Sequence, residues 1–242
     1  MPLDGRVQTF NRAFKEKDAQ DVMQHALTQL GQTKLISSFG AESVVLLHMA
    51  AQVDPDVAVV FIDTELLFPE TLVYQQQVAQ LVGLTNVETI RASRGAVFER
   101  DNENLLHLHD PDACCQLRKT EPLQKALKGV DAWVTGRKRS QGGERAVLDY
   151  FELERPHGAL PRIKANPLAY WDRNDLQTYM KQHNLPRHPL VAQGYPSIGC
   201  TPCTTRVNDG EDPRAGRWRH QSKSECGIHF ENGRIVRPIH AS

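Results

Sequence analysis

The sequence predicts an α/β fold in which a twisted parallel sheet carries helices on both faces and is followed by an irregular C-terminal tail. Three observations support this. Short apolar runs alternate with segments of helical periodicity, which is typical of a parallel sheet with crossover helices. The 242 residues, 40% of them hydrophobic, can bury one sizeable core. The last part of the chain is rich in glycine and proline and poor in recurring apolar residues.

The predicted elements of the body follow one another from residue 34 to about residue 184. Strands are expected at 34–39, 57–62, 87–90, 132–135 and 147–153, and helices at 44–49, 69–82, 112–128 and 172–183. Asp172 is a suitable N-cap for the last helix. After about residue 196 the chain lacks the apolar residues for a core of its own, so something else must anchor it.

Charge and hydropathy exclude several classes of function. Lys plus Arg and Asp plus Glu number 29 each, so the chain lacks the basic excess that non-specific nucleic-acid binding requires. It contains no apolar run of membrane-spanning length, and its first twenty residues are too polar for a secretory signal. We expect a cytoplasmic protein that binds neither nucleic acid nor membrane. The sequence leaves the oligomeric state open, a homo-oligomer included.

Two polar motifs follow neighbouring predicted strands. The segment Ser37–Ser43 (SSFGAES) lies between the first strand and its helix, where backbone N–H groups and a helix N-terminus can bind an anion. Asp63 and Thr64 follow the second strand. Each motif alone is equally consistent with an ordinary turn or helix start. Together, at the carboxyl ends of adjacent strands, they favour a nucleotide site.

Four of the five cysteines form two pairs. Cys114 and Cys115 are adjacent, and Cys200 and Cys203 form a distant C-x-x-C motif. Such pairs can supply four thiolates to one centre, and a cytoplasmic location disfavours disulfides. Because helical neighbours point about 100° apart, adjacent ligands suit an iron-sulfur cluster better than one zinc ion. Zinc, and a redox-active disulfide between Cys200 and Cys203, are the alternatives.

The fifth cysteine, Cys226, lies in the polar tail among arginine, lysine and histidine residues. Neighbouring cations lower the pKa of a thiol and so increase its thiolate fraction at neutral pH. A lone cysteine is more often an inert buried one, but this segment has few residues to bury it. We therefore interpret Cys226 as a nucleophile.

From about residue 34 to residue 238 the sequence resembles the assimilatory adenylyl-sulfate and phosphoadenylyl-sulfate reductases. Ser37–Ser43 is similar to the modified phosphate-binding loop of that family, and Asp63-Thr64 with Phe68–Thr71 to its second nucleotide motif. Glu225–His229 (ECGIH) is similar to its catalytic signature. The two cysteine pairs resemble the branch that binds a [4Fe-4S] cluster and uses adenosine 5′-phosphosulfate, whereas the cluster-free branch prefers the 3′-phosphorylated substrate.

The resemblance implies a fold and a set of site residues. The fold is that of the adenine nucleotide alpha hydrolase-like, Rossmann-like proteins, here a single reductase domain with a body at about 1–195 and a catalytic tail at about 196–242. Glu65 departs from the family pattern, where glycine is common. The implied nucleophile is Cys226, the cluster ligands are Cys114, Cys115, Cys200 and Cys203, and the substrate-binding residues are Ser37, Ser38, Gly40, Asp63, Thr64, Lys119, Arg145, Arg214, Arg217 and His229.

The resemblance also implies the reaction. Cys226 would attack the sulfur of adenosine 5′-phosphosulfate, AMP would leave, and thioredoxin or glutaredoxin would release sulfite from the resulting S-sulfonate. The chain shows no thioredoxin-like extension, so we expect an external reductant. Alternatives are a 3′-phosphoadenylyl-sulfate reductase, an ATP-using adenylating enzyme, or a non-catalytic iron-sulfur or zinc protein. The last leaves Cys226 and its cationic neighbours without a role.

Overall fold

A computed structural model describes residues 2–156 and 158–219. Its centre is a six-stranded sheet with the order β3-β2-β1-β4-β6-β5. The strands are β1 (Thr33–Ser37), β2 (Val59–Ile62), β3 (Val87–Ile90), β4 (Ala132–Val134), β5 (Phe151–Glu154) and β6 (Arg162–Ala165). β1, β2, β3, β4 and β6 pair in parallel, and β5 pairs antiparallel with β6. The sheet is therefore mixed at one edge, where the sequence predicted parallel strands only.

The helices are α1 (Leu3–Ala13), α2 (Ala19–Gln29), α3 (Ser43–Val53), α4 (Pro69–Val82), α5 (Arg94–Asp101), α6 (Leu106–His109), α7 (Pro111–Cys115), α8 (Glu121–Ala126) and α9 (Arg173–Gln182). The segment Gln116–Thr120 between α7 and α8 is a π-helix, so the predicted helix at 112–128 is present but irregular. Asp172 is the N-cap of α9, as expected, and accepts hydrogen bonds from the backbone N–H groups of Asn174 and Asp175.

Helices cover both faces of the sheet because strand residues alternate between two apolar clusters. On one face, strand residues such as Leu35 and Phe61 pack with α2, α3, α4 and α9. On the other, Ile36, Val60 and Trp133 pack with Leu123 of α8. This confirms the predicted two-sided arrangement.

The edge formed by β5 and β6 differs most from the sequence prediction. The strand expected at 147–153 begins only at Phe151, because Gly143–Val147 forms a 3₁₀ turn. β6 was missed because Arg162 and Lys164 interrupt its apolar pattern. Both side chains are nevertheless buried: Arg162 pairs with Glu154, and the Lys164 amine lies 4.8 Å from the centroid of the Trp133 ring.

The strand order creates a topological switch point at β1. The chain crosses from β1 to β2 and β3 on one side, whereas β4 pairs with β1 on the other. Loops after β1 and β4 therefore diverge and leave a crevice at the carboxyl edge, where open α/β sheets bind ligands.

The described part of the tail is attached to this same edge. Cys200 forms an isolated antiparallel bridge with Leu67, and the backbone N–H of Thr201 donates to the carbonyl of Leu66 over 2.8 Å. A second bridge joins Thr204 to Arg217. Within the residues that the structure describes, no helix is long and apolar enough to cross a membrane.

Candidate active site

A cavity of about 330 Å³ occupies the crevice between the loops after β1 and β4. It is open to the surface and receives residues from both loops, from the π-helix and from the tail. Among the predicted substrate-binding residues, those lining it are Ser37, Ser38, Gly40, Lys119, Arg145, Arg214 and Arg217. Four cations from three separate parts of the chain thus surround one space, which suits an anionic ligand.

The loop after β1 is held in a compact conformation at the N-terminus of α3. The N–H of Gly40 donates to Ser43 Oγ over 3.0 Å, and the N–H of Phe39 donates to Ser37 Oγ over 3.1 Å. Phe39 adopts a φ of 46°, an unfavourable conformation for a residue with a side chain. Its fully buried ring packs edge-on against Phe61, with centroids 5.3 Å apart, and this packing stabilises the loop.

Lys138 is a cavity-lining cation that the sequence analysis did not identify. Its amine forms a 2.9 Å ion pair with Glu42. Burial lowers the pKa of Lys138, and the neighbouring Glu42 carboxylate opposes that shift. Because Glu42 follows β1 and Lys138 follows β4, the pair links the two loops across the switch point. No motif in the sequence relates these two residues.

The two cysteine pairs meet at a second, much smaller space beside the first. Cys114, Cys115, Cys200 and Cys203 all line it, and none of these four cysteines forms a disulfide. Burial, followed by the neighbouring thiols of Cys115 and Cys200, raises the pKa of Cys114 to about 12. Four thiols sharing a poorly hydrated space require a positive charge to ionise, and a metal centre supplies one.

The thiol set fits the iron-sulfur cluster that the resemblance implied. All four donors are sulfur, from two pairs, and three of them are buried. Within the described ranges, no three His, Cys, Asp or Glu side chains are arranged as a group that could hold a metal ion, so the fit rests on the type and number of the donors and not on their geometry.

The π-helix Gln116–Thr120 follows Cys115 directly, and the N–H of Glu121 donates to the carbonyl of Gln116. A π-turn widens the helix by one residue and occurs frequently at functional sites. The sequence analysis expected a continuous helix here and did not predict this π-turn.

Arg118, within the π-helix, is a buried residue that the sequence analysis missed. Its guanidinium pairs with the buried carboxylate of Asp101, with Nη2 2.8 Å from Oδ2. It also donates to the carbonyl of Thr64 over 3.0 Å and to Asn104 Oδ1 over 2.6 Å. Arg118 thereby joins the cysteine-bearing helix to the end of β2.

Asp63 and Thr64 are not among the described residues that line the larger cavity. Asp63 is buried and forms an ion pair with Arg91 over 2.8 Å, and its second carboxylate oxygen accepts from the N–H of Glu65. Thr64 lines the cysteine space, with Oγ1 3.2 Å from Cys200 Sγ. The structure therefore brings Thr64 to the thiols and places Asp63 in a supporting ion pair.

Glu65, where the family pattern commonly has glycine, adopts a φ of 60°. This left-handed conformation costs a residue with a side chain about 1–2 kcal/mol. The carboxylate lies 3.4 Å from Nη1 of Arg118, a contact that glycine could not make.

Lys119 is the predicted residue that connects the two spaces, since it lines both the larger cavity and the cysteine space. Arg214 and Arg217 reach the cavity from the tail, beyond the C-x-x-C motif. Cys226 and His229 lie outside the described residues.

The fold and the cavity define an α/β protein with a cation-lined crevice at its topological switch point and a four-thiol site beside it. The family model described as "Phosphoadenosine phosphosulfate reductase domain" matches residues 32–206. The chain belongs to this family, and the fold predicted from the resemblance is confirmed.

Relatives and solved structures agree with this assignment. The chain is 42% identical, over 95% of its length and 94% of the relative, to adenosine 5′-phosphosulfate reductase of Chelativorans sp. (strain BNC1). The crystal structure of phosphoadenylyl-sulfate reductase from Candida auris, a phosphate complex, has a TM-score of 0.69 at 29% identity, covering 83% of this chain and 96% of that one. Yeast FAD synthetase shares the fold alone, with a TM-score of 0.51 at 16% identity, covering 78% of this chain and 66% of that one.

Proposed function

We propose that this chain reduces adenosine 5′-phosphosulfate to sulfite and AMP in sulfate assimilation. One observation carries the proposal: a cation-lined cavity at the switch point adjoins a four-thiol site, and Lys119 lines both. The names of the relatives support the same substrate.

The substrate would bind with its adenylate against the loop after β1. The N-terminus of α3 suits an anion, and Ser37, Ser38 and Arg145 complete that part of the cavity. Lys119, Arg214 and Arg217 would surround the sulfate, together with His229. Their positive charge would offset the repulsion between an incoming thiolate and the negatively charged sulfonyl group.

The chemical step transfers a sulfonate group to Cys226. The thiolate sulfur forms a bond to the sulfate sulfur, the bond from that sulfur to the phosphate oxygen breaks, and AMP leaves with the electron pair. A thiolate of an external dithiol, thioredoxin or glutaredoxin, then attacks Cys226 Sγ and releases sulfite. The second thiol of the donor frees Cys226, so the two electrons gained by sulfur come from the dithiol.

We assign Cys114, Cys115, Cys200 and Cys203 as the ligands of a [4Fe-4S] cluster. The bound group would supply a covalent link between α7 and the tail and a local charge beside Lys119. The cysteine segment itself holds Lys119 at the boundary between the two spaces, and Thr64 orients Cys200 through their 3.2 Å contact.

In this proposal the chain forms one reductase domain, with the body at about 1–195 and the catalytic tail at about 196–242. We place it in the cytoplasm, because four neighbouring cysteines that form no disulfide suit a reducing compartment.

The proposal is tested by measuring AMP and sulfite release with adenosine 5′-phosphosulfate, its 3′-phosphorylated relative and ATP, each with reduced thioredoxin. We expect fast, thioredoxin-dependent release of AMP and sulfite from the first substrate. Equal or faster turnover of the 3′-phosphorylated compound, the substrate named for the Candida auris relative, would change the substrate assignment. Pyrophosphate release from ATP without sulfite formation would refute the reductase assignment.

A further inference from the structure

The described tail forms a narrow antiparallel pair that connects the cysteines to a cavity cation. The N–H of Thr205 donates to the carbonyl of Gly216 over 2.8 Å, and the N–H of Trp218 donates to the carbonyl of Cys203 over 3.1 Å. Arg217 pairs with Thr204 between these bonds. The backbone of Arg217 is therefore fixed relative to the C-x-x-C motif.

The side chain of Arg217 turns back across the residue that precedes this motif. Its Nη1 donates to the carbonyl of Ile198 over 3.3 Å, and its Cζ lies 4.4 Å from the centroid of the Trp218 ring. A methyl group added at Gly199 would lie 2.5 Å from Cζ, well inside contact distance. The guanidinium thus occupies the place of a side chain at position 199.

Space, not backbone conformation, is what requires glycine at position 199. Gly199 is not among the described residues that have a positive φ, so alanine could adopt its backbone angles. The N–H of Gly199 donates to Thr204 Oγ1 over 3.2 Å, and that hydroxyl donates to the carbonyl of Cys200 over 2.9 Å. Because this backbone is held, the flexible guanidinium would move when a methyl group is added.

We propose that Gly199 is a positioning residue for Arg217. Its missing side chain lets the guanidinium lie against the backbone beside Cys200, at the edge of the cavity where the anion binds. The inference rests on the proposed function only in the role given to Arg217. It assigns to Gly199 a part in substrate binding, although Gly199 offers no side chain to the substrate.

The test combines Gly199→Ala and Arg217→Ala in the Cys226→Ser background, where adenosine 5′-phosphosulfate should bind without turnover. Affinity is measured by isothermal titration calorimetry of anaerobically purified protein. We expect Gly199→Ala to weaken binding about tenfold, as for the loss of one hydrogen bond to a charged group. Iron content and the unfolding temperature should be unchanged. Gly95→Ala is the control, since a methyl group there meets no atom within 4 Å.

The double variant separates positioning from a general structural role. If Gly199 acts through Arg217, adding Gly199→Ala to Arg217→Ala causes no further loss of affinity. Losses that multiply, or a loss of iron in Gly199→Ala, would overturn the proposal. Unchanged affinity in Gly199→Ala alone would overturn it and leave the role of Arg217 intact. Unchanged affinity in Arg217→Ala would instead refute that role, and the positioning role with it.

Discussion

Replacing Arg118 by methionine tests whether the buried ion pair behind the cysteines stabilises the fold. The side chains of Arg118 and Asp101 are 2% and 1% exposed, so the change leaves a carboxylate in a dry environment. Arg118→Met also removes a donor from the carbonyl of Thr64. Breaking a buried pair by removing one partner costs about 3–5 kcal/mol. For a chain of this size each kcal/mol lowers the unfolding temperature by about 2–4 °C, so we expect a decrease of about 10 °C.

The assay is thermal unfolding of anaerobically purified protein, followed by circular dichroism, with iron content measured on the same samples. Arg155→Met is the matched control, because its ion pair with Asp4 is exposed, and its unfolding temperature should not change. Adding Asp101→Asn to Arg118→Met should recover part of the loss, since the amide keeps an acceptor for the N–H of Leu106. A decrease below 2 °C in Arg118→Met would refute the reasoning.

Four further predictions concern single residues. Cys226→Ser should abolish turnover while iron content and substrate affinity persist; wild-type protein given substrate without dithiol should gain one sulfonate at Cys226, detected by intact-mass and peptide mass spectrometry. Cys200→Ser should lose iron and acid-labile sulfide, measured colorimetrically. Glu65→Gly should be about 1 kcal/mol more stable to urea than Glu65→Ala, because only glycine relieves the φ of 60°. Burial lowers the pKa of His188 to about 4, so stability should fall as pH decreases from about 6.5 to 4. Burial also lowers the pKa of His25 and of His48, so His188→Gln should weaken that dependence without abolishing it.

Each prediction has an outcome that would contradict it. An adduct on another cysteine, or normal turnover of Cys226→Ser, would remove Cys226 as the nucleophile. Full iron content in Cys200→Ser would exclude this thiol as a ligand, and equal stability of the two Glu65 variants would mean that the backbone there carries no strain. A pH dependence that is equally steep in His188→Gln and in the wild type would assign the titration to other groups. Stability falls with decreasing pH because the pKa of His188 is lowered in the folded state, so only the unfolded state takes up the proton in that pH range.

Much of the fold followed from local sequence patterns. β2, α4 and β3 lie close to their predicted bounds because apolar periodicity and Pro69 at the start of α4 are local signals. β6 was missed because its charged residues are compensated by Glu154 and Trp133, which are distant in sequence. The late start of β5, which follows the 3₁₀ turn Gly143–Val147, was likewise not predicted from the local pattern.

The candidate site, like the fold, was predicted from the sequence only in part. The sequence identified the residue types that carry its chemistry: the loop Ser37–Ser43, the two cysteine pairs and several cations. Their spacing and family motifs are properties of the linear chain. The sequence could not show that Lys119 lines both spaces or that Thr64 faces a thiol.

The sequence by itself determined the central strands and several of their crossover helices, which side chains can bind an anion or a metal, and the family to which the chain belongs. It did not predict α1, α2, α5, α6 or β6. Only the tertiary structure decided which of those side chains meet. Three contacts illustrate this: the Glu42–Lys138 pair, the burial of Arg118 and the contact of Arg217 with Gly199. Each one joins residues that are separated in the sequence. Such contacts depend on strand order and on the space left between packed elements, and no local pattern of residues records either.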